Sequence, residues 1–328
     1  MTSETRLAQF EELRPLLFSI AYRILGSVAE AEDAVQETWL RWAGARTTPV
    51  STRAYLSAVV TRVSINVLRS ARVRREQYVG PWIPEPLLQD PYEDPARAAE
   101  LADSVSMAAL LLLERLSPLE RAVFVLREVF AFDYAEVASS VARSEAACRQ
   151  LVVRARRHMD AGRPRFEAEQ AKRDELADRF FAAMRDGDVD ALRESLTEDV
   201  QLVGDSGGKG PLFAEVIAGA GNVSRVLGGL APGFVRTGGA VELHTVNGQP
   251  GAIFRDADGR VVNTMSLDIV DGRVQTIRSV INPDKLGHLG PVADAWTVLA
   301  AAQDVLRPRR PGSPDPTDDG RRAHPMKE

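Results

Sequence analysis

The segment between residues 143 and 157 carries the side chains of this sequence that are best suited to bind nucleic acid. In helical register its apolar side chains fall at i, i+3, i+4, i+7 and i+11 and form one stripe, made of Cys148, Leu151, Val152, Ala155 and Met159. Cationic and amide side chains lie off that stripe, at Arg149, Gln150, Arg154, Arg156 and Arg157. Guanidinium groups bind phosphate oxygens and the acceptor edge of guanine in the major groove. The pattern therefore predicts a helix that reads DNA.

A shorter helix at 133–141 is predicted to support the arginine-bearing helix at 144–160. Between them, Ala142 and Arg143 would form a tight turn, and the hydroxyl of Ser144 would cap the second helix. Two helices joined in this way are typical of a helix-turn-helix, whose second helix enters the major groove.

A second basic segment lies at 53–75 and contains no acidic residue; its arginines are Arg53, Arg62, Arg69, Arg72, Arg74 and Arg75. Arginines that neutralise phosphates give salt-dependent affinity, and Thr61 or Asn66 could contact an unstacked base. The alternative is a basic helix end that complements the helix dipole.

Composition limits the classes of protein to consider. The chain has 328 residues, a net charge of -5 and a single cysteine, so a disulfide framework is excluded and no cluster of metal ligands is suggested. No stretch is long and apolar enough for a membrane span, and we expect a cytoplasmic protein without a metal or cofactor. Acidic blocks at 30–37 and 85–103 separate the two basic segments.

Hydrophobic periodicity divides the chain into helical and mixed parts. Helices are predicted at 7–26, 29–43, 52–75, 96–115, 117–130, 133–140 and 144–160. From about residue 172 the pattern predicts an α+β domain with a curved antiparallel sheet: helices at 173–186, 188–196 and 212–228, and strands at 198–204, 233–236, 240–247, 250–255, 260–270 and 273–282. The domains would be 1–78, a proline-rich linker at 79–100, 101–165, 172–292, a short helix at 293–306 and a disordered tail at 307–328.

The first 165 residues resemble an extracytoplasmic-function sigma factor, on the blocks at 21–27, 31–42, 55–75 and 133–157. The resemblance implies two all-α domains, a region 2 helical bundle and a region 4 helix-turn-helix, that act with RNA polymerase core at promoters. It implies that the helix at 31–42 docks on the clamp of the largest polymerase subunit. The contacting side chains would be Asp33, Gln36, Glu37, Trp39, Leu40 and Arg41.

The same resemblance assigns the basic segments to the two promoter elements. The helix at 53–75 would bind the -10 element through the residues named above. The helix-turn-helix would bind the -35 element, with Arg149, Gln150 and Arg154 on base edges and Arg143, Ser144, Arg156 and Arg157 on phosphates. Ala142 stands where the family's turn often has glycine.

Residues 172–290 resemble the SnoaL/NTF2-like fold, and the whole chain is similar to the sigma-factor subgroup that carries such an extension, called ECF41 or SigJ-like. Three motifs carry this resemblance, at 82–87, 205–209 and 282–286. It implies that the extension packs on the sigma domains and regulates them. The interdomain residues would be Trp82, Pro84, Pro86, Asp205, Gly207, Gly208, Lys209, Asn282, Pro283, Asp284, Lys285 and Leu286.

A different class of function stays open at this point. NTF2-like domains include enzymes with a pocket Asp or His, and the acid-base candidates here are Asp205, His244 and Asp268. The chain could then be a helix-turn-helix regulator with an enzymatic or ligand-sensing domain, and a small-molecule ligand is a possible partner. No paired catalytic constellation can be placed from the sequence, so we expect that the protein is not an enzyme.

Overall fold

A computed structural model describes residues 3–45, 48–75, 77–94, 96, 98–160, 170–211 and 216–306. The predicted tail at 307–328 lies outside the described residues. Twelve α-helices occur in the described ranges: α1 (Ser3–Leu25), α2 (Val28–Ala43), α3 (Thr52–Arg75), α4 (Ala98–Val105), α5 (Met107–Glu114), α6 (Pro118–Phe124), α7 (Tyr134–Val141), α8 (Glu145–Asp160), α9 (Gln170–Asp186), α10 (Val189–Ser195), α11 (Ala220–Arg236) and α12 (Ala295–Leu306). Six strands are β1 (Leu196–Asp205), β2 (Val216–Ala218), β3 (Ala240–Val246), β4 (Gln249–Arg255), β5 (Val261–Val270) and β6 (Arg273–Val280).

Local capping signals account for several helix starts. Ser117 and Glu120 form a capping box at the start of α6, and Asp133 and Glu136 form another at α7. The helix predicted at 96–115 is interrupted at Ser106, whose side chain caps α5. The helix predicted at 117–130 continues beyond α6 as a π-helical turn, Val125–Val129.

The helical half of the chain shares one hydrophobic core. Buried side chains of α1 to α3, including Leu17 and Leu56, belong to the same cluster as Leu126, Val137 and Cys148 from the second helical domain. The two helical domains are therefore packed against each other.

The C-terminal domain has the predicted α+β class, with one mixed sheet in the order β2-β1-β6-β5-β4-β3. The expectation of a wholly antiparallel sheet is wrong, because β1 pairs parallel to β6. The connection between them contains β2, α11 and β3 to β5, and parallel strands need a long crossover of this kind. Register shifts interrupt β5 against both β4 and β6, and such bulges bend a sheet. Two clusters of buried side chains meet this sheet: Ala252 and Phe254 of β4 join the larger one with the helices, and Ile253 joins a smaller one with Ile83 and Met107.

Two secondary-structure predictions in this domain are wrong. The strand expected at 233–236 is the last turn of α11, and the helix expected at 212–228 begins at Ala220, after β2. Packing decides the first case, because a Cβ at Gly233 would lie 2.4 Å from the carbonyl oxygen of Ala302. Helix α12 thus packs closely on α11 and belongs to the domain, although the sequence placed it outside.

The turn of the helix-turn-helix has the left-handed backbone that glycine favours. Ala142 ends α7 at φ 52° and ψ 53°, and its N–H bonds to the carbonyl of Ala138. We predict that Ala142→Gly raises the stability of the helical domains by about 0.5–1 kcal/mol, because the left-handed region costs an L residue about 1–2 kcal/mol and glycine entropy offsets part of that gain. Urea denaturation measures the change. Ala138→Gly, inside α7, should instead destabilise by roughly 1 kcal/mol or more; loss of stability in both variants would contradict the prediction.

Candidate nucleic-acid interface and linker latch

The apolar stripe and the arginine-bearing face of α8 are separated as predicted. Cys148, Leu151, Val152, Ala155 and Met159 are buried. The predicted DNA-contacting side chains are all exposed: Arg143, Ser144, Arg149, Gln150, Arg154, Arg156 and Arg157. Ser144 caps the helix by accepting the N–H of Ala147 at 3.2 Å.

Carboxylates of the same domain orient several of these arginines. Arg156 makes two bonds to Glu128, at 2.8 and 3.1 Å, and Arg154 donates to Glu120 at 3.1 Å. Arg149 stacks over the ring of Tyr134 at 4.7 Å and pairs with Glu145. Exposed ion pairs of this kind contribute about 0–1 kcal/mol each, so phosphate or base acceptors can replace them at little cost.

Helix α2 presents a polar face with one apolar side chain in it. Asp33, Gln36 and Arg41 are exposed, and Glu37 pairs with Arg41 at 2.8 Å. Leu40, on the same face, is 59% exposed. Trp39 is half-buried, with its ring centre 5.1 Å from that of Phe10, and packs between this face and α1. The face thus combines charged groups with one exposed apolar side chain.

The predicted DNA-contacting residues of α3 differ in exposure. Arg53, Arg62, Asn66 and Arg69 are exposed. The side chains of Arg72 and Arg74 lie outside those that the structure describes. Thr61 is fully buried, so the expectation that it contacts a base is corrected: its position on α3 faces the core instead of solvent.

Two of the exposed arginines of α3, Arg53 and Arg62, also contact the second helical domain. Arg62 donates to the backbone carbonyls of Ser139 and Ser140 in α7, at 2.5 and 2.9 Å. The guanidinium of Arg53 lies 4.8 Å from the centre of the Phe132 ring. Both groups are thus engaged within the chain, at the base of the helix-turn-helix.

Arg75, at the end of α3, is held in a buried network. Its guanidinium donates to Glu114 at 2.5 Å and to the carbonyl of Leu25 at 2.6 Å, and it stacks 3.8 Å from the Trp82 ring. Burial acts to raise the pKa of Glu114, but Arg121 and Arg75 outweigh it and hold that pKa below its usual value. The carboxylate therefore stays charged and keeps Arg75 away from solvent.

The predicted linker is an ordered strap between the three domains. Ile83, Pro84, Glu85, Pro86 and Leu87 are all buried. Glu85 accepts the N–H groups of Val28 and Ala29 at 2.7 and 3.2 Å, where a carboxylate complements the positive end of the α2 dipole. This role was not predicted, although Glu85 lies inside the motif at 82–87.

The second end of the strap is pinned by Asn247, at the β3–β4 turn. Leu87 and Asn247 exchange two bonds: the Leu87 N–H donates to Asn247 Oδ1 at 2.8 Å, and the Asn247 N–H donates to the Leu87 carbonyl at 2.7 Å. Asn247 Nδ2 also donates to the Tyr22 hydroxyl and to the Val105 carbonyl. An Asn-Gly pair between strands signals a hairpin, but nothing in the sequence signals these buried contacts.

The centre of the strap is held by a buried ion pair. Lys285 Nζ lies 2.6 Å from Asp205 Oδ2 and donates to the Ile83 carbonyl at 2.5 Å. Asp205 also accepts the Ile83 N–H at 2.8 Å and the Tyr78 hydroxyl at 2.5 Å. The Lys285 ammonium lies 4.4 Å from the Trp82 ring centre. We call Tyr78, Trp82, Ile83, Asp205, Asn282 and Lys285 the latch.

Burial governs the titration of the latch. It lowers the pKa of Lys285, while Asp205 acts in the opposite direction. Burial also raises the pKa of Tyr78, and the hydrogen bond to Asp205 adds to that shift. Tyr78 therefore remains a neutral donor to the carboxylate throughout the physiological range.

The remaining motif residues fit around the latch. A Cβ at Gly207 would lie 2.4 Å from Asn282 Nδ2, and Gly207 and Gly208 both have positive φ, so this turn needs glycine. Pro283 starts a 3-10 turn and Leu286 is fully buried. Lys209 is not part of the buried contact, because it pairs on the surface with Asp284 at 2.5 Å.

The three acid-base candidates do not come together. Asp205 belongs to the latch, Asp268 is buried beside Arg278, and His244 is exposed on β3. None of them lines the apolar cavity between the sheet and helices α11 and α12. Within the described ranges, His, Cys, Asp and Glu side chains form no group of three that could hold a metal ion.

Comparison with known proteins shows the family of this chain. Residues 9–74 match the family model for Sigma-70 region 2, and residues 106–159 match that for Sigma-70, region 4. The chain is 39% identical over 291 residues to the ECF RNA polymerase sigma factor SigJ of Mycobacterium tuberculosis, which covers 85% of this chain and 92% of the relative. The chain belongs to the extracytoplasmic-function sigma factors.

Further relatives support the same family over most of the length of this sigma factor. The probable ECF RNA polymerase sigma factor SigI of M. tuberculosis is 30% identical over 282 residues, covering 84% of this chain and 93% of the relative. The crystal structure of M. tuberculosis SigJ aligns with a TM-score of 0.67 at 37% identity, over 86% of this chain and 98% of that one. The resemblance inferred from the motifs is confirmed, as is the multidomain fold class. No helix in the described part of the sigma factor has the length and apolar character to cross a membrane.

Tyr78→Phe removes the hydroxyl that donates to Asp205 and accepts from Asn282 Nδ2. The variant leaves the Asp205 carboxylate with one donor fewer, and a bond to a charged group contributes about 1.5–3 kcal/mol. We expect the Ile83 amide to exchange hydrogen roughly 10- to 100-fold faster, measured by hydrogen exchange with mass spectrometry or NMR. Lys209→Ala, which removes an exposed ion pair, is the control and should leave exchange at Ile83 within roughly fivefold of the parent. Unchanged exchange in Tyr78→Phe would refute the role of the latch.

Proposed function

We propose that this sigma factor binds RNA polymerase core and promoter DNA through three surfaces, and that its C-terminal domain keeps the two sigma domains closed through the latch. In this proposal residues 1–78 and 101–165 are the sigma domains, 79–100 the linker and 172–292 the regulatory domain, extended by α12. The observation that carries the regulatory part is the burial of the linker between the domains, centred on the Asp205–Lys285 pair.

The promoter-facing roles follow from exposure and chemistry. Arg149, Gln150 and Arg154 lie on the solvent side of α8 and would read base edges, as bidentate arginine and glutamine contacts do in the major groove. Arg143, Ser144, Arg156 and Arg157 would bind phosphates. On α3, the exposed residues Arg53, Arg62, Asn66 and Arg69 would bind the -10 element, and Arg75 would join them once its internal partners are released.

The closed arrangement supports an inhibited state. Arg75 cannot reach a phosphate while Glu114 and Trp82 hold it, and Arg62, although exposed, is turned toward the carbonyls of α7. Two promoter elements that lie apart on a duplex require the two sigma domains to separate. Opening therefore has to break these contacts and release the linker.

We also propose that the polymerase clamp binds the exposed face of α2 and that the protein works in the cytoplasm, where the polymerase is. The face combines the charges of Asp33, Glu37 and Arg41 with the exposed Leu40. We assign no enzymatic activity to the C-terminal domain, because its three acid-base candidates lie apart from one another and from its cavity.

Matched variants separate DNA reading from polymerase binding. Arg154→Ala should lower affinity of the holoenzyme for a promoter selected from a random library roughly 5- to 150-fold, since a good base contact is worth about 1–3 kcal/mol. Its affinity for polymerase core should not change. Leu40→Asp should weaken binding to polymerase core and leave the promoter affinity of the assembled holoenzyme unchanged.

Both variants are assayed with purified sigma factor and core, by binding titration and by promoter-specific transcription. Arg225→Ala, an exposed arginine on α11, is the control and should affect neither reaction. If Arg154→Ala impaired core binding and promoter binding equally, the division of surfaces would be wrong.

Removing both charges of the latch tests its inhibitory role. Removing one partner of a buried pair leaves an unpaired charge, whereas removing both avoids that cost. Asp205→Asn combined with Lys285→Met should therefore fold, release the linker, and bind polymerase core at least about tenfold more tightly, if the closed state is favoured by about 1.4 kcal/mol or more. The exposed pair offers a matched control, Lys209→Ala with Asp284→Asn. Equal core affinity of the two double variants would show that the latch does not inhibit.

A further inference from the structure

A cavity of about 190 Å³ lies between the sheet and helices α11 and α12 of the C-terminal domain. Its wall consists largely of aliphatic and aromatic side chains, among them Leu227, Phe234, Phe254 and Met265. No charged side chain of the described residues lines it. An apolar cavity of about 150 Å³ stays dry and binds benzene, so this one suits a molecule of roughly six to nine non-hydrogen atoms.

Two polar side chains in the wall have unused hydrogen-bonding capacity. Asn263 Nδ2 donates to Ser279 Oγ at 3.0 Å, and both residues are more than nine-tenths buried. In the described part of the chain, Asn263 Oδ1 accepts no bond and the Ser279 hydroxyl proton has no acceptor. One hydroxyl group placed here could donate to Asn263 and accept from Ser279.

We propose that this cavity binds a neutral, largely apolar molecule that carries a single hydroxyl group and has the size of a small substituted phenol. A charged ligand would lose its hydration without gaining a counter-charge, which is strongly unfavourable. A water molecule could satisfy the polar pair, but it would leave the apolar part of the cavity unfilled.

The wall of the cavity continues directly into the latch. Gly204, in the wall, precedes Asp205, and Ile281, also in the wall, precedes Asn282. The backbone links the same points, because the N–H groups of Ile281 and Asn282 both bond to the Asp205 carbonyl, at 2.8 and 3.0 Å. Because the cavity wall and the latch share these segments, opening of the latch should distort the cavity, and a molecule that fills it should then stabilise the latched state by mass action. This coupling rests on the proposed regulatory function, whereas the binding itself does not.

Calorimetric titration of the full chain with p-cresol tests the binding. Toluene, which lacks the hydroxyl, should bind about 5- to 10-fold more weakly, as expected for a net hydrogen-bond contribution of about 1 kcal/mol. Asn263→Leu should abolish that difference while toluene binding is kept. Ala231→Leu, and Ala295→Leu as a second filling variant, should block both probes. Absence of p-cresol binding, or binding that survives both filling variants, would overturn the assignment.

Hydrogen exchange at the Ile83 amide tests the coupling. Saturating p-cresol should slow exchange there in the parent chain and should have no effect in Ala231→Leu. Binding without slowing would overturn the coupling and leave the cavity assignment in place. Either failure is distinct from a failure of the sigma function, which is measured by core binding and promoter-specific transcription without any added ligand.

Discussion

The arrangement of the three domains depends on the buried pair of Asp205 and Lys285. Removing two charges from water costs several kcal/mol per ion, and a pair recovers that cost only when its remaining hydrogen-bonding groups are satisfied. Here the C-terminal domain supplies both charges, but the linker supplies the remaining partners. The Ile83 N–H donates to the carboxylate, the Ile83 carbonyl accepts from the ammonium, and Tyr78 adds a third donor to Asp205. Without the linker the pair would need water, so docking of the linker and burial of the pair occur together.

Other contacts of the linker connect this pair to the helical domains and to the far end of the sheet. Glu85 binds the start of α2, Leu87 pairs with Asn247 at the β3–β4 turn, and Trp82 packs between Arg75 and Gly26. Gly26 has a positive φ, and a Cβ there would lie 2.9 Å from the Trp82 ring. A short extended segment thereby joins the bundle, the helix-turn-helix domain and the sheet. Such a segment can act as a switch because its contacts with different domains are made or lost together.

Sequence periodicity and capping were sufficient to predict the helical half. The predicted bounds of α3 match the structure, and the stripe from Cys148 to Met159 is buried as expected, because both signals are local. Tertiary contacts decided the cases that failed. Gly-Phe-Val-Arg at 233–236 has strand-like composition but continues α11 against α12, and the parallel β1–β6 pairing joins segments far apart in sequence. Thr61, predicted to contact a base, faces the core from its position on α3. The motifs contain five of the six latch residues, but neither Tyr78 nor Asn247, which binds Leu87, lies in a motif.

The internal partners of the arginines differ between the two DNA-binding surfaces, and this difference indicates which surface is withheld. On α8, Arg149, Arg154 and Arg156 pair with carboxylates at the surface, where such pairs are weak and DNA can compete. On α3, Arg75 is largely buried against Glu114 and Trp82, and Arg62 bonds to carbonyl groups of α7. Breaking those contacts exposes a buried carboxylate and separates two packed domains. In the proposed closed state Arg75 would therefore be withheld from DNA more strongly than the arginines of α8, and release of the linker would act mainly on this end of α3.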